Sequence, residues 1–209
     1  MTNQEKGWYR FLSDFGIDPS IYIEVKDSFS PVKSHVEKMV SGKDYWQVSP
    51  DELNYIFSAT KLLRPEKVVE TGVGPGTTSY AFLSAMSDFD GKLYSFDLGI
   101  RYGESDHMPV GFVVPQEMRS AWTLTIGDSM VTLLPVLRKI SPIDIFFHDS
   151  DHTYNHVMFE MTSADRSLKK RGLIVVDNYD WSRAPEDFAK EYGYKLVPIV
   201  DDLAFLYKL

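Results

Sequence analysis

The polar and apolar positions of this chain change rhythm near residue 60. Before it, apolar side chains recur at helical spacing. Trp8, Phe11, Leu12 and Phe15 form one stripe, and Leu53, Ile56, Phe57 and Leu63 form a second that opens at Pro50-Asp51. Residues 16–49 read as irregular or partly helical, and residues 1–60 as a helical cap on the rest of the chain, with Trp8-Tyr9 as a candidate cover for a pocket. From Lys67 onward, short continuous apolar runs alternate with helical stripes. The pattern predicts strands at residues 67–71, 92–97, 123–126, 143–148 and 173–177, and helices at 77–86, 129–139 and 153–170. In the last helix Tyr154, Val157, Met158, Met161, Ala164 and Leu168 share one face.

Strands that are apolar throughout are buried on both faces, which predicts an α/β domain over residues 61–209 with a mostly parallel sheet between two helical layers. The runs at 194–200 and 203–209, joined by Asp201-Asp202, predict a closing hairpin, so one strand runs antiparallel. In an open sheet of this kind ligands bind beyond the C-terminal ends of the strands. The strand ends are therefore where chemistry is expected.

The first strand end reads Val68-Val69-Glu70-Thr71-Gly72-Val73-Gly74-Pro75-Gly76-Thr77-Thr78. Glycine permits positive φ and close approach of the backbone to a ligand, and the next helix turns its free N–H groups back toward the loop. The spacing is E-x-G-x-G-x-G, with Thr77 where the third glycine of a dinucleotide fingerprint falls. Glu70 repels a pyrophosphate and attracts an ammonium group. The run resembles motif I of the class I S-adenosylmethionine (SAM)-dependent methyltransferases. That resemblance covers roughly residues 60–209 and implies a Rossmann-like, seven-stranded sheet that binds SAM through Glu70, Gly72, Gly74, Gly76 and Thr77. Asp97 ends the second strand, 21 residues after Gly76, the distance at which an acid accepts hydrogen bonds from ribose. The third strand leads to Gly127-Asp128-Ser129. The resemblance implies that Asp128 bonds the adenine amino group and that the next backbone N–H, at Ser129, reaches the ring; Asp128 equally suits an N-cap, and the two roles are compatible.

The fourth strand ends Phe147-His148-Asp149-Ser150-Asp151-His152, and the fifth ends Val176-Asp177-Asn178. Two carboxylates and an amide oxygen at one rim suit a hard divalent cation such as Mg2+, and the composition is wrong for zinc. Asp149, Asp177 and Asn178 resemble the ligand pattern of metal-dependent O-methyltransferases acting on catechols and related phenols. Asp149-x-x-His152 resembles sugar O-methyltransferases of the macrolide-tailoring type, where such a histidine is the base. The resemblance thus implies catalytic roles for Asp149 and His152 and leaves phenol and sugar both open. His148 reads as a core residue and His156 as solvent-facing. Residues 98–121 are long enough for a lid, and Tyr179 and Trp181 either stack on a substrate or pack in the core.

Composition narrows the partners. The absence of cysteine excludes disulfides, thiolate nucleophiles and Cys-based zinc sites. A net charge of −8 argues against nucleic acid, and Lys169-Lys170-Arg171 is expected at a helix C-terminus, where the dipole favours cations. With no apolar run of membrane-spanning length and no signal-like start, a cytoplasmic protein acting on a small molecule is expected, with no membrane partner; a homo-oligomer remains open. The expected activity is metal-assisted O-methylation of a small hydroxylated molecule (sugar, polyol or phenol). The alternatives are other chemistry on the same fold, namely aminopropyl transfer or metal-dependent oxidation, and a non-catalytic nucleoside-binding module. An NAD-dependent oxidoreductase is weaker, because the glycine spacing is wrong for it.

Overall fold

The computed structural model describes residues 3–42, 47–99 and 108–209. Seven strands form one sheet: β1 (Lys67–Thr71), β2 (Lys92–Asp97), β3 (Trp122–Ile126), β4 (Ile143–His148), β5 (Leu168–Val176), β6 (Lys195–Val200) and β7 (Leu203–Tyr207). Their order is β3-β2-β1-β4-β5-β7-β6. Pairing is parallel from β3 through β5, and β7 runs antiparallel to both β5 and β6. The expected α/β sheet with a C-terminal hairpin is therefore present.

Alternation along the central strands divides the core in two. Val68, Phe147, Val175 and Phe205 pack on one side with α4 (Pro50–Leu63) and α5 (Thr77–Ala85). Val69, Phe146, Ile174 and Leu206 pack on the other with α6 (Ser129–Ile140), α7 (Tyr154–Asp165) and α8 (Ala184–Tyr192). Because both faces are covered, apolar residues dominate both faces of the central strands.

The stretch expected to be irregular or partly helical contains two further helices, α2 (Pro19–Asp27) and α3 (Ser30–Val40). Asp18 caps α2 by accepting from Ser20 N at 2.8 Å. The stripe of α1 (Asn3–Phe15) packs on the hairpin: the ring centroid of Phe11 lies 5.1 Å from that of Phe205. Asp14 accepts from Lys195 Nζ at 2.9 Å and from Tyr207 Oη at 3.0 Å. Trp8 is consequently buried against the sheet and is not a cover for a pocket.

Three other expectations need correction. The helix of residues 153–170 ends at Asp165, and β5 begins at Leu168 rather than at 173. Leu168 fits the helical stripe, but pairing with Ile143 of β4 captures it. Lys169-Lys170-Arg171 is therefore strand and bulge, with Lys169 Nζ 2.8 Å from Asp144 Oδ1. Helix α8 was not expected, although Pro185 in its first turn, Glu186 and Asp187 behind it and a left-handed Gly193 at its end are ordinary helix signals.

The long connection after β2 includes residues 100–107, which lie outside the described residues. The part beyond them is folded down onto the glycine loop: Gly111 N donates to Gly74 O and Val113 N to Pro75 O, each at 3.0 Å. Val110, Val113 and Val114 are buried, so this part is core rather than lid. A short 3-10 helix (Gln116–Ala121) leads into β3. Among the described residues no helix is long and apolar enough to cross a membrane.

Candidate active site

Backbone bonds continue the parallel ladder past the strand ends. Gly72 N donates to Phe96 O, Asp149 N to Thr71 O, Asp177 N to His148 O and Gly127 N to Asp97 O, at 2.9–3.0 Å. The ladder sets Gly72, Asp97, Gly127, Asp149 and Asp177 along one rim.

At this rim the glycines serve the chain itself. Gly72 has φ +81°, and a Cβ there would stand 1.7 Å from the carbonyl oxygen of Asp149. Gly76 has φ +92°, and a Cβ there would stand 2.7 Å from Gly111 Cα. The close approach expected toward a ligand is, at these two positions, an approach to neighbouring backbone. Gly74 has φ +51°, and Thr77 is the buried first residue of α5.

Glu70 turns inward rather than toward a ligand. Its carboxylate accepts from Thr78 Oγ1 and Ser79 Oγ at 2.5 Å and from Ser95 Oγ at 2.6 Å, and the residue is fully buried. Burial pushes its pKa up to about 7 against the three hydroxyls. Asp97 clamps the loop: Oδ2 accepts from Val73 N at 3.1 Å and Gly74 N at 3.0 Å, and Oδ1 from Gly99 N at 2.7 Å. Asp128 is the N-cap of α6, accepting from Met130 N at 2.8 Å. Around these two acids Leu98, Ile126, Met130 and Val131 leave large apolar side chains exposed.

A second buried carboxylate, Glu160 of α7, gathers a polar network that the sequence reading missed. Its oxygens lie 2.6 Å from His148 Nδ1 and 2.9 Å from His156 Nε2, and they accept from Thr71 Oγ1 at 2.6 Å and Ser129 Oγ at 2.5 Å. Burial penalises its charge, but the His148 and His156 contacts prevail and hold its pKa well below the usual carboxylate range. His156 is part-buried in this network, not solvent-facing, and its contact with Glu160 raises its pKa. Ser129 turns its hydroxyl to the same network. The signal was available: Glu160 falls between Val157, Met161 and Ala164 on the buried stripe, where a lone charge demands partners.

Beyond β4 and β5, Asp149, His152 and Asp177 each offer a ligand atom, and these atoms lie within 4.8 Å of one another. His152 Nε2 is 3.9 Å from Asp149 Oδ1. His152 Nδ1 and Asp177 Oδ1 are buried without a hydrogen-bond partner. Burial and the charge of Asp177 push the Asp149 pKa well above the ordinary carboxylate value, and burial pushes Asp177 up to about 6. Burial, with the charge of His148, pushes His152 down to about 4. Asn178 is adjacent in the chain, and its Nδ2 donates to Asp202 Oδ2 at 2.7 Å. His152 joins the two carboxylates in the gathered trio. Trp181 sets its exposed ring 5.2 Å from that of His152, whereas Tyr179 packs against the second core.

Glu52 and Asp202 were also missed. With Asp177 they form a second group whose ligand atoms lie within 4.8 Å. Burial, followed by contact with Asp202, pushes Glu52 up to about 8. Glu52 is also the third residue of a capping box with Ser49.

A family model described as a methyltransferase domain matches residues 69–179, more than half of the chain. No curated protein matches the chain by sequence. The fold is similar to that of a methyltransferase from Geobacter sulfurreducens (TM-score 0.64, 18% identity, covering 86% of this chain and 88% of that one). It is also similar to a putative caffeoyl-CoA O-methyltransferase from Staphylococcus aureus (TM-score 0.60, 18% identity, 98% and 99% covered). A further likeness is to the MycE methyltransferase of the mycinamycin biosynthetic pathway, in complex with Mg and SAH (TM-score 0.55, 18% identity, 76% of this chain and 48% of that one). At these identities the likeness is one of fold.

Proposed function

The chain belongs to the methyltransferase-domain family, and from that premise we propose that it methylates a hydroxyl group of a small molecule, with SAM as donor and a divalent cation at the Asp149–Asp177 rim. The observation that carries this reading is the convergence of Asp149, His152 and Asp177 on one point, one backbone contact away from the glycine loop through Gly72 and Asp149.

The donor set fits a cation. Two carboxylates supply hard oxygen ligands, and the orphaned Asp177 Oδ1 is a buried acceptor that lacks a positive partner. The strand ends of β1 to β3 suit SAM. Leu98, Ile126, Met130 and Val131 offer apolar surface for a purine beside Asp128, and Asp97 sits where a ribose diol reaches a carboxylate. A cation here lowers the pKa of a substrate hydroxyl, and SAM brings a methyl group already activated as a sulfonium.

The chain's own residues do the rest. His152 is held neutral by burial, so its ring can accept the hydroxyl proton. The deprotonated oxygen would then accept the methyl group of bound SAM, with S-adenosylhomocysteine as the leaving product. Trp181 beside His152 presents a flat face to a phenol or sugar ring. His148, locked by Glu160, backs His152 with rings 5.4 Å apart. The net charge of −8 favours a small substrate over nucleic acid.

The test is calorimetric titration with SAM, with and without Mg2+, followed by mass analysis of catechols and sugars incubated with enzyme and SAM. Binding of SAM and a product heavier by one methyl group are expected. Asp149→Asn should abolish the product and keep SAM binding. Absence of SAM binding under every condition overturns the reading, and full turnover of Asp149→Asn or of wild type in chelator overturns its metal part.

A further inference from the structure

The rim carries a second seat for positive charge. Glu52 from α4, Asp177 from the end of β5 and Asp202 from the turn between β6 and β7 bring one carboxylate oxygen each to within 4.8 Å of the others. Glu52 is 3% exposed and Asp177 7%. Glu52 Oε1 and Asp177 Oδ1 are both buried atoms with no hydrogen-bond partner. The remaining oxygens are differently engaged: Glu52 Oε2 accepts from Ser49 N at 2.7 Å, and Asp202 Oδ2 accepts from Asn178 Nδ2 at 2.7 Å. A buried acceptor without a donor is costly, and carboxylates crowded at one point repel one another. Two buried oxygens without a donor, both on residues of one carboxylate cluster, are what a cation would satisfy.

We propose that Glu52, Asp177 and Asp202 bind a second divalent cation, and that the Asp177 carboxylate is shared with the cation assigned to the Asp149–Asp177 rim. The inference rests on the proposed function only through Asp177. The donor set is all oxygen, which selects Mg2+, Mn2+ or Ca2+ over zinc. A carboxylate bridging two such ions holds them about 3.5–4 Å apart in known two-metal sites. The second ion fastens the start of α4 to the hairpin turn, a junction already marked by the Ser49 Oγ bond to Asp201 Oδ2 at 2.9 Å. It also fixes the carboxylate of Asp177 for the first site. The N-terminal helices thus supply a ligand to the rim rather than only covering the sheet.

The test is titration of the full-length protein with Mn2+, with free ion followed by electron paramagnetic resonance. Two ions per chain are expected in wild type and one in each of Glu52→Gln and Asp149→Asn. Glu52→Gln preserves size and an acceptor for Ser49 N, so the capping box survives; Asp202→Asn is the second variant, and circular dichroism verifies folding of each. The lost ion should bind at least tenfold more weakly in both Glu52→Gln and Asp202→Asn. One ion in wild type, unchanged in both variants, overturns the second seat and leaves the first standing. One ion that is lost in Glu52→Gln but kept in Asp149→Asn overturns the first seat and retains the second. No bound ion overturns both.

Discussion

Gly72 and the carbonyl oxygen of Asp149 occupy the same narrow gap: a Cβ on Gly72 would stand 1.7 Å from that oxygen. The loop at the end of β1 and the turn after β4 can pack this closely only because residue 72 has no side chain. The proposed donor site and the proposed metal rim are therefore mechanically one unit. Gly72→Ala should destabilise the protein by about 3 kcal/mol or more, from a backbone clash added to a left-handed φ. Gly16→Ala is the control, with φ +70° and open space around it. It should cost only about 1–2 kcal/mol. Urea midpoints measure both, and equal costs would show that the gap at Gly72 can relax.

Glu70 predicts a pH dependence. Its pKa rises from 4.5 to about 7 in the folded protein because burial disfavours the charge. The folded state then holds a proton that the unfolded state releases, so stability falls as pH rises from 4.5 to 7 and is level above. Glu70→Gln removes this slope. Relative to the variant, wild type should lose up to about 3 kcal/mol across the window. Parallel stability curves for the two proteins would refute the assignment.

Glu160 has the opposite sign. Its pKa is depressed, so its stabilisation is present above the ordinary carboxylate value of 4.5 and fades as pH falls below it. Glu160→Gln should cost about 3 kcal/mol near pH 6, because His148, His156, Thr71 and Ser129 lose a charged partner. Near pH 3 the difference between the two proteins should shrink. Thermal melts at the two pH values measure it, and a pH-independent difference would count against the charged network.

Trp181 tests substrate contact without testing the fold. Its ring is 67% exposed beside His152, so Trp181→Ala should change stability by less than about 0.5 kcal/mol. KM for the hydroxylated substrate should rise about tenfold, a loss of about 1.4 kcal/mol of binding, with kcat little changed. An unaltered KM would remove Trp181 from the substrate site.

Much of the fold was legible because its signals are local. The strands at Lys67–Thr71 and Ile143–His148 coincide with their expected bounds, since each is centred on a short apolar run, Val68-Val69 and Ile145-Phe146-Phe147, buried on both faces. Leu168 misled because one residue satisfied two patterns, the stripe of α7 and the ladder with Ile143, and only the pairing decided between them. Asp149 and Asp177 were legible because strand ends in a parallel sheet fall on one rim. Asn178 follows Asp177 with a left-handed backbone, φ +51°, and its amide nitrogen reaches Asp202, a contact that adjacency in the chain does not reveal.

The sequence by itself determined the strand–loop–helix rhythm, the parallel sheet, the glycine loop and the acids at the strand ends. Each follows from apolar periodicity or from the conformational freedom of glycine, which act over a few residues. Only the tertiary structure decided that Glu70 faces inward to three hydroxyls, that Glu160 gathers two histidines, and that Glu52 meets Asp177 and Asp202. Those partners come from elements far apart in the chain. Which carboxylate finds a hydroxyl, a histidine or another carboxylate is set by how the helices dock on the sheet, because burial forces every polar group onto whatever the packing brings within reach.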